Sequence, residues 1–111
     1  MTNLKWFKVC AGKDLRPGQA RSISIGAHPY AVFNVDGELH GLEAACGHMK
    51  ANLAAGRLSG NVVECAMHGW EYDVKTGQCL SVESRPLHTF PVKVENEYIW
   101  IGLEEPKQES E

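Results

Sequence analysis

Tyr30-Ala31-Val32-Phe33-Asn34-Val35-Asp36-Gly37-Glu38-Leu39-His40-Gly41-Leu42-Glu43 sets the fold class. The first six residues are rich in β-branched and aromatic side chains, and Glu38 to Glu43 returns after two residues. Asp-Gly between two such runs predicts a hairpin, because both central residues of the turn must tolerate positive φ. Similar punctuation recurs outward in both directions. Arg16-Pro17-Gly18 ends a first run, Trp6 to Cys10, and Arg21 to Ile25 alternates polar with apolar residues. Further on, Ser59-Gly60-Asn61 precedes Val62 to Cys65, and Lys75-Thr76-Gly77 separates Glu71–Val74 from Gln78–Val82. Glu95-Asn96-Glu97 then divides Phe90–Val94 from Tyr98–Gly102. No run of ten or more residues carries a helical period; the best candidate, Ala51 to Arg57, is at most one turn. About nine short strands with tight turns predict an all-β antiparallel sandwich or small barrel.

The chain has 111 residues, enough for one domain, with 43% apolar and 23% charged residues. Such a composition buries a core. The net charge is −3, which argues against nucleic-acid binding. That charge sits at one end: residues 104–111 carry four Glu and one Lys, whereas residues 1–103 carry ten basic and ten acidic side chains. The expected division is a single folded domain over 1–103 and an acidic, solvated C-terminal tail over 104–111. Lys5 and Lys8 stand where a signal peptide needs an unbroken apolar stretch, and no segment approaches the length needed to span a membrane. A cytoplasmic protein with reduced thiols and no membrane partner is expected.

Four cysteines in such a chain suggest either two disulfides or a metal site. Two segments favour the metal. Cys46-Gly47-His48 and Cys65-Ala66-Met67-His68 each supply one thiol and one imidazole, with sixteen residues between His48 and Cys65. Two thiolates and two imidazoles suit iron–sulfur or zinc chemistry. The two donors of one segment could share an iron or bind one each. If both cysteines hold one iron, both histidines hold the other, and the result is a [2Fe–2S] cluster in which two histidines replace two cysteines. Its oxidised core and ligands then sum to zero charge, against −2 for an all-cysteine cluster, so reduction is easier.

The pattern Cys46-x-His48 … Cys65-x-x-His68 resembles the Rieske cluster-binding motif. His68-Gly69-Trp70-Glu71-Tyr72-Asp73, the Lys75-Thr76-Gly77 turn, and Pro86-Leu87 to Val94 with Phe90-Pro91-Val92 also resemble Rieske domains of oxygenase systems. The likeness covers roughly residues 4–103. It implies a Rieske-type antiparallel β-sandwich or small barrel with a two-loop cluster-binding subdomain. It implies that Cys46 and Cys65 hold the buried iron, and that His48 and His68 hold the outer, valence-changing iron near the surface. By the same resemblance the chain is a ferredoxin and not an enzyme. It would take single electrons from an NAD(P)H-dependent flavin reductase and pass them to a terminal oxygenase, such as a ring-hydroxylating dioxygenase.

Departures refine this expectation. Rieske proteins of quinol-oxidising complexes carry an extra cysteine in each loop; Ala51 and Met67 stand at those positions here. Trp70 stands where the high-potential type has a serine that bonds a sulfide. Gly47 stands where Thr or Pro is frequent. The resemblance is therefore to the low-potential ferredoxins of oxygenase systems, with a potential around −150 mV. Tyr72 has two readings: its hydroxyl reaches a cysteine sulfur, or its ring only packs.

Other assignments keep part of this picture. The small subunit of assimilatory nitrite reductase shares length and fold, although many of its members lack the ligands. A zinc-stabilised protein-interaction module would use the same four donors, but zinc fingers pair Cys with Cys and His with His on a helix. Cys10 and Cys79 read as core thiols, and His28, His40 and His88 as surface or strand-edge residues. Met49, Lys50, Leu53, Met67 and Trp70 would cover the cluster, with Met49 and Met67 forming an apolar docking rim. Trp6, Phe7, Phe33, Tyr98 and Trp100 read as core or sheet-face residues. No Gly-rich phosphate loop and no hydrolytic set is present.

Overall fold

The computed structural model describes residues 4–26, 28–45, 52–66, 69–83 and 86–104. Among the described residues ten strands follow one another: β1 (Leu4–Ala11), β2 (Ala20–Ile25), β3 (His28–Val35), β4 (Glu38–Glu43), β5 (Arg57–Ser59), β6 (Val62–Glu64), β7 (Glu71–Asp73), β8 (Thr89–Phe90), β9 (Val92–Glu95) and β10 (Tyr98–Glu104). They form three antiparallel sheets, ordered β1-β10-β9, β2-β3-β4-β8 and β5-β6-β7. The fold is all-β, as expected; the only helical pieces among the described residues are single 3-10 turns at Gly12–Asp14 and Leu53–Ala55. Among the described residues no helix is long and apolar enough to cross a membrane.

The β3–β4 hairpin forms on the expected turn. Asp36 has φ 52° and Gly37 has φ 95°, and Val35 pairs with Glu38 across them. Both turn residues are left-handed, which matches the twist of the flanking strands. The near-continuous apolar run of β3 also has a structural cause. Ala31, Phe33 and Val35 face one core, together with Leu42, Ala44, Leu53, Val63, Cys65 and Tyr72. Val32 faces a second core, with Leu15, Ile99, Ile101 and Leu103. The central sheet is therefore packed on both faces: the β1-β10-β9 sheet covers one and the β5-β6-β7 sheet the other. A strand buried on both faces loses the polar alternation of a half-buried one.

Two strand boundaries differ from expectation, each for a visible reason. Phe90–Val94 is not one strand. Pro91 has no amide to donate, and the chain changes sheets there: Phe90 pairs with Gly41 on β4, while Val92 pairs with Ile101 on β10. Gln78–Val82 is held to the sheet by an isolated bridge, Tyr72 to Cys79, instead of a ladder. Its backbone bonding to β7 is confined to that bridge: Asp73 donates its amide to the Gln78 carbonyl at 2.9 Å, and Leu80 donates its amide to the Glu71 carbonyl at 2.7 Å. β5 was not expected; it forms because Gly60, at φ 60°, turns Arg57–Ser59 back onto Val62–Glu64.

Cys10 and Cys79 form no disulfide. Cys79 lies in the first core, as expected, whereas Cys10 is only half-buried at the edge of the second. Partial burial still pushes the Cys10 thiol pKa up, with Asp14 adding to the rise and Arg21 opposing it. β10 continues through Glu104, one residue into the acidic segment; residues 105–111 lie outside the described residues.

Candidate metal centre

The smallest sheet carries the second cysteine–histidine segment. β6 ends at Glu64 and β7 begins at Glu71, so Cys65 to Trp70 is the loop between them. The loop is closed at its base. The Cys65 amide donates to the Trp70 carbonyl at 2.8 Å, and the Gly69 amide donates to the Cys65 carbonyl at 2.9 Å. Gly69 has φ 77°, a left-handed conformation that bends the chain back toward β7 without a Cβ penalty. Cys65 is thereby fixed by its backbone, and its side chain, 1% exposed, sits in the core with Val63, Tyr72 and Leu53.

The first segment is gripped in the same way from its flanks. Ala45 and Asn52 form an isolated bridge, and Leu53 donates its amide to the Ala44 carbonyl at 2.7 Å. The Asn52 side chain accepts from the Ala54 amide at 2.8 Å and so caps the short turn that follows. This is the ordinary service of Asn at a helix start, where orphan amides need acceptors. Leu53 and Ala44, on either side of residues 46–51, are buried in the core that holds Cys65. Cys46, His48 and His68 themselves, with Gly47, Met49, Lys50, Ala51 and Met67, lie outside the described residues. What the described chain brings together is Cys65 and the anchor points of both segments.

A contact that the sequence did not announce locks these anchors. Gly56, at the end of the 3-10 turn, lies so close to the Glu64 carbonyl that a Cβ there would collide with it. Glu64 directly precedes Cys65, so the descending arm of the first segment rests on the backbone that leads into the second. The signal was present only as an isolated glycine, Gly56. A cavity of about 630 Å³ opens beside this contact, lined by Gly56, Arg57, Glu64, Cys65 and Gly69 among others. Arg57 and Glu64 are cross-strand partners on its rim.

The surroundings of Cys65 fit a metal-bound thiolate. A naked thiolate in an apolar core is costly, and coordination to a cation removes that cost. Apolar Val63, Leu53 and Ala44 exclude water on the inner side, and Trp70 packs against the same core. Among the described residues no group of three or more His, Cys, Asp or Glu side chains is placed to hold a metal ion, and of the four candidate ligands Cys65 alone is among them.

Comparison with known proteins agrees with this chemistry. The family model described as the Rieske [2Fe-2S] domain matches residues 5–91, a span that contains all four candidate ligands. Ferredoxin CarAc of Metapseudomonas resinovorans is 38% identical over 104 residues, covering 92% of this chain and 97% of that protein. The ferredoxin component of biphenyl 2,3-dioxygenase from Rhodococcus jostii (strain RHA1) is 36% identical over 98 residues, covering 87% of this chain and 92% of that protein. Among solved structures, a chain in the complex of reduced oxygenase and oxidized ferredoxin of carbazole 1,9a-dioxygenase superposes with a TM-score of 0.82 at 38% identity. It covers 89% of this chain and 94% of that one.

Proposed function

This chain belongs to the Rieske [2Fe-2S] domain family, and from that premise we propose that it is the ferredoxin of a multicomponent oxygenase system. In this reading it holds one Rieske [2Fe–2S] cluster, receives single electrons from an NAD(P)H-dependent flavin reductase in the cytoplasm, and delivers them to a terminal oxygenase. It turns over no organic substrate itself. Cys46 and Cys65 would ligate one iron, and His48 and His68 the other. When bound, the cluster supplies reversible one-electron transfer at a potential set by its mixed ligands.

The chain's own residues prepare that chemistry. The Cys65–Trp70 hydrogen bonds hold one thiol donor in place before a metal arrives, so less ordering entropy is lost on binding. The core around Cys65 keeps water from the sulfur, and a drier site strengthens every hydrogen bond to it. Ala44, Leu53 and the Gly56–Glu64 contact hold the flanks of the two segments against one core. The acidic residues after β10 add negative charge and are assigned no part in holding the cluster. Encounters with reductase and oxygenase would use small, transient interfaces.

The observation that carries this reading is that Ala44 and Leu53, which flank the first segment, and Cys65 of the second share one buried core. Purified protein tests it. A red-brown protein with two irons and two sulfides per chain is expected, with an EPR signal on reduction whose average g lies below the free-electron value. A colourless protein with stoichiometric zinc would overturn the reading. Reconstitution with a flavin reductase and an oxygenase then tests the partners: electron delivery should stop when the ferredoxin is left out.

A further inference from the structure

A second cavity lies away from the cluster loops, where two sheets part. Pairing between β4 and β8 runs only through Gly41–Phe90 and Leu42–Thr89. Pro91 then carries the chain off to β9, and the β4 edge beyond Gly41 is left uncovered by β8. The notch so formed has a volume of about 330 Å³. Val74, Phe90 and Val92 are among its apolar walls, and His40, Lys75 and Thr89 contribute the polar ones. A space of this size is at the lower end for small-molecule sites, which run from roughly 300 to 1,000 Å³ and pair apolar walls with a few convergent polar groups.

The polar groups already hold a carboxylate. His40 Nε2 stands 3.1 Å from Glu38 Oε1, and Lys75 Nζ stands 3.8 Å from the same oxygen. An imidazole on β4 and an ammonium from the turn after β7 therefore converge on one point beside the notch. The Glu38 carboxyl is held below its ordinary pKa, first by the His40 hydrogen bond and then by the Lys75 charge. Yet the Glu38 side chain is 67% exposed and stands on the solvent side, so it can swing away at little cost. A carboxylate attached to an apolar body would reach the same two donors while its body covered the partly exposed Phe90 and Val92. Glu38 does not have such a body.

We propose that this notch binds a small organic carboxylate with a single ring or branched apolar body, which displaces Glu38 from His40 and Lys75. The inference does not depend on the electron-carrier reading, since no proposed cluster ligand lines the notch. Calorimetric titration of the cluster-loaded, oxidised protein with benzoate tests it. Saturable binding is expected, weakened roughly tenfold or more in Lys75→Met, as for loss of a hydrogen bond to a charged group. Glu38→Gln removes the internal competitor and should tighten benzoate several-fold. Benzyl alcohol, which keeps the ring and lacks the charge, should not bind. Absence of saturable benzoate binding would overturn the proposal. So would equal affinity in Lys75→Met, no gain in Glu38→Gln, or benzyl alcohol binding as well as benzoate.

Discussion

Gly56 rests against the carbonyl of Glu64, at a separation with no room for a Cβ. Its backbone, at φ −82° and ψ −173°, is one that any residue adopts, so the requirement for glycine is purely one of space. Gly56→Ala must push β6 away from the short turn, and Cys65 moves with it. Forced overpacking of this kind costs about 1–3 kcal/mol. Urea unfolding should show that loss, and iron per chain should fall in the purified variant. Full stability together with full iron content would mean the two segments are not braced through this contact.

How far the sequence disclosed this arrangement depended on how local each cause was. The β3–β4 hairpin was legible because Asp36-Gly37 dictates its own turn. The Cys46-x-His48 and Cys65-x-x-His68 spacing pointed to a metal because two thiols and two imidazoles make a donor set; of the four, Cys65 lies within the described residues, buried at its loop base. The double burial of β3 was not legible, since apolar residues at Val32 and Phe33 do not say that two different sheets cover them. Nor was the break at Pro91, because which sheet each half joins is settled by partners far along the chain, Gly41 and Ile101. Gly56 gave no local hint of Glu64, eight positions away on another strand. Long-range packing decided each of these.

Asn34 is buried, and both of its side-chain hydrogen bonds are structural. Its Nδ2 donates to the Leu15 carbonyl at 2.8 Å, and its Oδ1 accepts from the Gly37 amide at 2.8 Å. It thus ties the hairpin turn to the segment before β2. Asn34→Leu fills a similar volume but leaves a buried carbonyl and a turn amide without partners. The expected loss is about 1–3 kcal/mol, seen as a lower urea midpoint at unchanged m value. The visible spectrum should not change, because the site is at the opposite end of the hairpin from the cluster loops.

The β9–β10 hairpin turns through Asn96 at φ 54° and Glu97 at φ 71°. Asn tolerates this conformation; Glu does not do so readily, and the strain is on the order of 1 kcal/mol. Glycine removes the strain but gives the unfolded chain more freedom, which offsets part of the gain. Glu97→Gly should therefore raise stability by about 0.5 kcal/mol. The Glu97 carbonyl, which accepts from the Gly12 amide at 2.9 Å, is retained in the variant. A fall in the thermal midpoint would show that the Glu97 side chain has a stabilising role larger than its backbone strain.

The redox potential is the most direct measure of the environment of Cys65. By the resemblance drawn from the sequence, Ala51 and Met67 stand at the positions of the extra cysteines of quinol-oxidising Rieske proteins, and Trp70 at that of a serine donor. With fewer donors to the cluster, its oxidised form is favoured, and a midpoint around −150 mV is expected at neutral pH, near the low end of the Rieske range. A value above about +100 mV would contradict this. Tyr72 bears on the same quantity. Its ring is fully buried beside Val63 in the core that holds Cys65, and its hydroxyl oxygen is closed off from water. A hydrogen bond from that hydroxyl toward a cluster sulfur would favour the reduced, more negative form. Tyr72→Phe keeps the ring and its packing and removes only the donor, so the midpoint should fall while the urea midpoint changes little. A potential identical to the parent's would assign Tyr72 to packing alone.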